Sequence, residues 1–307
     1  MNFSDAKRWL LLGIALAILV SCFSPMMNRY YLGVIIDVGI AIILATSLNL
    51  INGHTGQFSL GHAGFMAVGG FFSAWLSLSV GTTAEALWFF PLTLIAGGLL
   101  AACVGLFVGI PSLRLRGDYL AIVTLGFGEI IRVIAQNTEA IGAASGLKGI
   151  PKLTNLGWTF GCAAVTIYVI VCLVNSTYGR GFIAVHDDEI AAESNGIDTT
   201  RTKVIAFVTG AFFAGIAGGL YAHHKQFLSP TGFDWLKSID IVVMVILGGM
   251  GRTTGVIAAA ILLTLMPEVL RDFSEYRMIL YALLIILLML LRPAGLFAFN
   301  RKKKQLS

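Results

Sequence analysis

The chain has 307 residues, 57% hydrophobic and 12% charged, with a formal net charge of +5 and a mean hydropathy of +0.86. A soluble domain carries about 25% charged residues, so the composition excludes an ordinary soluble protein. The cations sit at the ends of apolar runs and form no basic stripe interleaved with aromatics, which excludes nucleic acid as the reason for the positive charge. The 47 residues between Asp37 and Glu85 contain no Asp, Glu, Lys or Arg. Apolar runs of about 20 residues can cross a bilayer core as helices, so the chain reads as an all-α polytopic membrane protein, one transmembrane domain over 1–307.

In chain order, about ten spans are expected, near 9–24, 30–51, 60–80, 87–110, 118–137, 158–175, 204–223, 237–251, 253–270 and 276–291. The first follows Lys7 and Arg8 and ends at Leu19-Val20-Ser21-Cys22, which also fits a bacterial lipoprotein cleavage site; a first transmembrane helix is the plainer reading. Between the second and third spans lies Asn49-Leu50-Ile51-Asn52-Gly53-His54-Thr55-Gly56-Gln57-Phe58-Ser59-Leu60-Gly61-His62-Ala63-Gly64-Phe65, where four glycines and a run of polar side chains interrupt a charge-free stretch. Nonhelical backbone at membrane depth is tolerated only where it is buried in protein or lines a cavity, and broken helices often form transporter sites. Asn49, Gln57, Ser59 and His62 are therefore expected to face a translocation path; the alternative is a plain turn between spans. Ser59 lacks the leading glycine of GxSxG, because position 57 is Gln. His54 and His62, eight apart with no acidic neighbour, make a poor metal site.

Small residues recur at four-residue spacing in 97–105, from Gly97-Gly98 through Ala101-Ala102 to Gly105, and in 210–219, and read as close-packing helix faces. Arg114-Leu115-Arg116-Gly117-Asp118-Tyr119 marks a turn, and Glu129 lies inside the next span with Arg132 one helical turn on. This spacing predicts a buried structural ion pair, of which removing one partner costs about 3–5 kcal/mol; a direct substrate or proton role is the alternative. Cys22, Cys103, Cys162 and Cys172 all fall in apolar runs and read as small hydrophobes, with no metal site implied.

Residues 176–203 form a long polar segment in an otherwise oily chain. Asp187 or Asp188 can cap a helix there, Glu189 suits its first turn, and Gly196 suits its end. Ala191 and Ala192 offer a small-residue face that another surface can approach, while Asp187, Asp188, Glu189 and Glu193 form an acidic edge; metal binding and a solvated loop are the rival readings. The pair 237–251 and 253–270, broken by Leu247-Gly248-Gly249-Met250-Gly251-Arg252-Thr253-Thr254-Gly255, is either two crossings or a re-entrant hairpin that leaves eight spans. Arg252 favours two crossings, because an arginine at a hairpin tip in lipid is costly. Thirteen of the 21 Lys and Arg residues fall on one side of this topology, which the positive-inside rule makes cytoplasmic, together with both termini, residues 176–203 and the basic tail 292–307.

These motifs carry a resemblance. Ala191-Ala192-x-x-x-Gly196 is similar to the EAA motif of ABC importer permeases, the cytoplasmic loop that docks in the ATPase, although Ile190 stands where the family glutamate is expected and Glu189 is one residue early. Together with Asn52 to Gly64, Leu113 to Glu129 and Arg292-Pro293-Ala294-Gly295-Leu296-Phe297, it resembles the LivM type of branched-chain amino acid permease over about residues 30–298. The resemblance implies an ABC importer permease fold and function, with Asp188, Glu189, Ala191, Ala192, Glu193 and Gly196 coupling to the ATPase. It implies as partners a second, LivH-like permease, two ATPase subunits and an extracytoplasmic binding protein, in a bacterial inner membrane. Related permeases carry urea or short amides. No GxxxxGK[ST] phosphate loop occurs, so the chain is expected to be no enzyme and to hold no cofactor, ATP being bound by the partners. A stand-alone ion-coupled transporter and an intramembrane hydrolase using Ser59 are the competing classes.

Overall fold

The computed structural model describes residues 28–79, 83–113, 119–273 and 276–291. The expected span at 9–24 with Cys22, the turn residues Arg114 and Arg116, and the basic tail 292–307 lie outside the described residues. The described chain is almost wholly helical: α1 (Arg29–Asn49), α2 (His62–Ser79), α3 (Thr83–Ser112), α4 (Tyr119–Asn137), α5 (Leu156–Val174), α6 (Thr177–Asp187), α7 (Glu189–Ser194), α8 (Thr199–Lys225), α9 (Trp235–Gly248), α10 (Thr253–Val269) and α11 (Arg277–Leu291).

Helix starts fall where short polar side chains can accept the first free backbone N–H groups. Asn28 accepts from the Tyr30 N–H at 3.2 Å, Asn155 from Trp158 at 2.9 Å, Asp198 from Arg201 at 2.9 Å and Asp234 from Lys237 at 3.1 Å. The Asp198 cap starts α8 five residues before the span expected at 204. Residues 177–187, expected as part of a loop, form helix α6 instead. Ser176 caps it, and Gly179, Phe182 and Val185 turn one face inward.

Among the described residues, five helices are long and apolar enough to cross a membrane: α1 with its extension to His54, the Phe89–Ser112 part of α3, α4, α5 and α8. α1 and α8 are the centre. Their most apolar stretches are 83% and 61% buried within the chain, against 22% for α4 and 28% for α5.

α8 meets α2 and α3 along a seam of small residues. A methyl group on Gly97 would sit 2.7 Å from the Gly69 carbonyl oxygen, and one on Gly215 would sit 2.6 Å from the Ala101 Cβ. Backbone therefore packs on backbone, the arrangement that small residues permit where lipid supplies no hydrophobic drive between helices. Phe65 and Phe207 close one end of the seam edge to face, with centroids 5.4 Å apart. At the other end His223 Nδ1 lies 2.8 Å from the Gly219 carbonyl, which can only accept. Nδ1 therefore carries the proton, and Nε2 receives the Ser77 hydroxyl at 2.7 Å.

The end of the bundle nearest the C-terminus of α8 is clamped by a two-residue antiparallel pair, Leu147–Lys148 with Phe227–Leu228. Thr154 Oγ1 adds a hydrogen bond to the Leu220 carbonyl at 2.8 Å, and Lys225 Nζ meets Asp37 Oδ2 at 2.8 Å. α9 and α10 form a hairpin through a turn in which Gly249 and Gly251 take φ of 89° and 78°.

Candidate functional site

α1 does not stop at Asn49. It continues into a π-helical turn, Leu50–His54, and then into irregular backbone that reaches α2 at His62. This break is the place where most of the bundle converges. Asn49 Oδ1 accepts from the Gly251 N–H at 2.9 Å and so fixes the α9–α10 turn. Asn52 Oδ1 accepts from Ser59 N–H at 3.2 Å, closing the break on itself. The Leu60 N–H donates to Thr124 Oγ1 of α4 at 3.0 Å, and the Ala63 N–H donates to Ser238 Oγ of α9 at 3.1 Å. Ser47 Oγ lies 2.8 Å from His62 Nε2.

The four residues expected to face a path are all buried: Asn49, Ser59 and His62 at 0% exposure and Gln57 at 5%. The surrounding helices enclose all four. Several of their polar atoms have no hydrogen-bond partner among the described residues: Asn49 Nδ2, both amide atoms of Gln57, Ser59 Oγ and His62 Nδ1.

The second group of residues lies on α6 and α7. Asp188 has extended backbone, and its Oδ1 accepts from the Ile190 and Ala191 N–H groups at 2.9 and 3.0 Å. At the other end Gly196 has a φ of +80°, a left-handed conformation that suits glycine. The Ile197 N–H reaches back to the Ala192 carbonyl at 3.1 Å, so the short helix is closed at both ends. Ala191 and Glu193 are exposed, and so is Ile190.

Two expectations are corrected here. Ala192 is 5% exposed and points into the protein, so only Ala191 presents a small outward side chain. Glu189 is not part of a free acidic edge: its Oε2 lies 2.6 Å from Lys203 Nζ on α8, with the lysine side chain 7% exposed. A contact absent from the sequence reading lies beside it. His186, at the end of α6, rests against Gly56 of the break; a methyl group there would sit 2.5 Å from its Nδ1. Gly56 also has a φ of +69°. Nothing in the spacing of 56 and 186 could signal this contact.

Glu129 and Arg132 form a pair on α4, with both Nε and NH2 of the arginine on Oε2, at 2.7 and 2.6 Å. The pair is not buried as expected, since the two side chains are 29% and 27% exposed on the flank of the least buried long helix. Glu129 borders a groove with the start of α2 and with Trp235 and Ser238 of α9.

Membrane-length apolar helices packed around a central helix that breaks into buried polar backbone define a class, a polytopic membrane permease. The chain belongs to the family of branched-chain amino acid transport system permease components, whose model matches residues 30–291. It is 37% identical over 338 residues to the high-affinity branched-chain amino acid transport system permease protein LivM of Escherichia coli K12, covering 99% of this chain and 78% of that protein. It is 23% identical over 185 residues to the LivH permease of the same system, covering 53% of this chain and 60% of LivH. It is 26% identical over 265 residues to the L-arabinose permease AraH of the same organism, covering 81% and 76%. No solved structure matches the chain.

Proposed function

We propose that the chain is the membrane subunit of an ATP-driven importer of branched-chain amino acids in a bacterial inner membrane. It works with a second, LivH-like permease, two ATPase subunits and an extracytoplasmic binding protein. The observation that carries this reading is the 37% identity to LivM across almost the whole chain. The ATPase activity belongs to the partners, since this chain has no phosphate-binding loop. The excess of Lys and Arg on one side of the expected topology supports a cytoplasmic α6–α7 segment and cytoplasmic termini. The bilayer is crossed by about ten spans, the α9–α10 hairpin counting as two.

The ATPase grips the outward face of α7, formed by Ile190, Ala191 and Glu193. Displacement enters the bundle by two routes: Glu189 pulls on Lys203 of α8, and His186 bears on Gly56 of the break. Asn49, Gln57, Ser59 and His62 seal the path in the closed state. Selectivity rests mainly with the binding protein, since the break offers no charged side chain.

The test is uptake in vesicles holding the full assembly. ATP-dependent entry of leucine, isoleucine or valine is the expected result; entry without ATP, or of urea and short amides alone, would overturn the reading. Ala191→Trp and Gly196→Val are expected to insert normally but to lose most of the co-purified ATPase and of the uptake. Full retention with normal uptake in both variants would reduce α7 to a solvated connector.

A further inference from the structure

The glycine-rich stretch 247–255 joins α9 to α10 by a turn that is fixed more firmly than a plain connector. The Gly249 N–H donates to the Ile246 carbonyl at 3.0 Å, and the Arg252 N–H donates to the Gly249 carbonyl at 3.1 Å. The Gly251 N–H donates to Asn49 Oδ1 of α1 at 2.9 Å. Gly249 and Gly251 both hold a positive φ, which glycine adopts without strain.

The two sides of this turn differ in kind. Gly248, Gly249 and Gly255 are buried, whereas Met250 is 51% exposed and Arg252 and Thr254 are exposed. Among the described residues Arg252 makes no ion pair. An arginine facing lipid is costly, so the tip of the turn stands in water at the edge of the bilayer. Met and Arg are both enriched where proteins meet, and the flexible thioether of Met fits irregular surfaces.

The break in α1 fixes which end of the bundle this is. Gly53 lies against the Gly251 backbone with no room for a methyl group between them. Three residues on, Gly56 meets His186 at the end of α6, and α7 follows directly. The turn and α7 therefore lie at the same end of the bundle, on two contacts of one break. Gly53 and Gly56 are at most about 11 Å apart along the chain. A standard interface covers about 800 Å² on each partner, roughly 30 Å across. The six residues of α7 make a helix only about 9 Å long. A subunit that grips α7 needs more surface than α7 offers, and the tip of the turn lies within its reach.

We propose that the α9–α10 turn is a second foothold of the ATPase on this chain, with Met250 and Arg252 making the contact. The ATPase then bears on the break twice, at Gly56 through α7, α6 and His186, and at Gly53 through Gly251. The proposal rests on the importer reading above. It is tested in the full assembly by placing a photoreactive residue singly at Met250, at Ile190 on α7 or at Trp235 at the other end of α9, all exposed positions. Illumination is expected to yield ATPase adducts from Met250 and Ile190, and several-fold less from Trp235. ATPase adducts from Ile190 but not from Met250, or Met250 adducts with the second permease in place of the ATPase, would overturn it. Absence of any ATPase from the purified assembly would instead sink the importer reading. Arg252→Glu gives an independent measure. It is expected to leave thermal unfolding unchanged while co-purified ATPase and uptake both fall several-fold. Full ATPase retention and uptake in that variant would overturn the assignment of Arg252 to the contact.

Discussion

Glu189–Lys203 and Glu129–Arg132 share a closest approach of 2.6 Å, yet they connect different things. The first joins α7 to α8, and its lysine is almost wholly enclosed. The second joins two positions one turn apart on the same helix, with both side chains partly exposed. A local pair cannot hold two elements together, however short it is. A remote pair with an enclosed cation fixes the position of one element on another. The pair singled out in the sequence is the local one, and the pair that ties α7 to α8 was invisible there.

The largest expected effect breaks the remote pair from its exposed side. Glu189→Ala strands the enclosed Lys203 ammonium and is expected to cost about 3–5 kcal/mol. Lys203→Met leaves a carboxylate that can still reach water, and is expected to cost about 1 kcal/mol. Thermal unfolding of the two variants in detergent measures the contrast; equal losses would mean that Lys203 is not enclosed. On the proposed coupling through this pair, both variants are expected to raise the ATP hydrolysed per amino acid imported.

A smaller effect tests α7 itself. Asp188→Ala removes the acceptor for two backbone N–H groups and is expected to cost about 1 kcal/mol, with Asp188→Asn largely restoring the helix. Faster amide hydrogen exchange at Ile190 and Ala191 would report the loss. If exchange is unchanged, Glu189 and Lys203 hold the helix without its cap.

The smallest effect on stability is expected at the local pair. Glu129→Gln and Arg132→Met are each expected to change stability by less than about 1 kcal/mol, as exposed pairs do. A loss of several kcal/mol from either single variant would show that the pair is covered.

Helix positions were legible in the sequence because the length of an apolar run and the short polar residues at its start act locally. The short helix after Asp188 follows from such signals. What escaped was set by partners far along the chain. The polar residues after Asn49 look ready to face water until Gly251, Thr124 and Ser238 are brought to them by folding. Ala191 and Ala192 are equivalent in composition, but a 100° step around a helix sends one to solvent and the other into the protein. α6 was missed because its inward face, Gly179, Phe182 and Val185, is too short to stand out among polar neighbours.

The glycine seam sets a timetable for the growing chain. Gly69 and Gly97 are synthesised together, but Gly215, which fits between their helices, emerges roughly 6–24 s later at a rate of about 5–20 residues per second. During that interval α2 and α3 stand in the membrane with a groove of bare backbone turned toward a helix that has not yet been made. Any other helix with small residues at four-residue spacing could occupy the groove first, including one from a neighbouring ribosome. A slow stretch of translation ahead of residue 199 would lengthen that exposure, so the yield of correctly assembled protein depends on elongation speed as well as on the finished contacts.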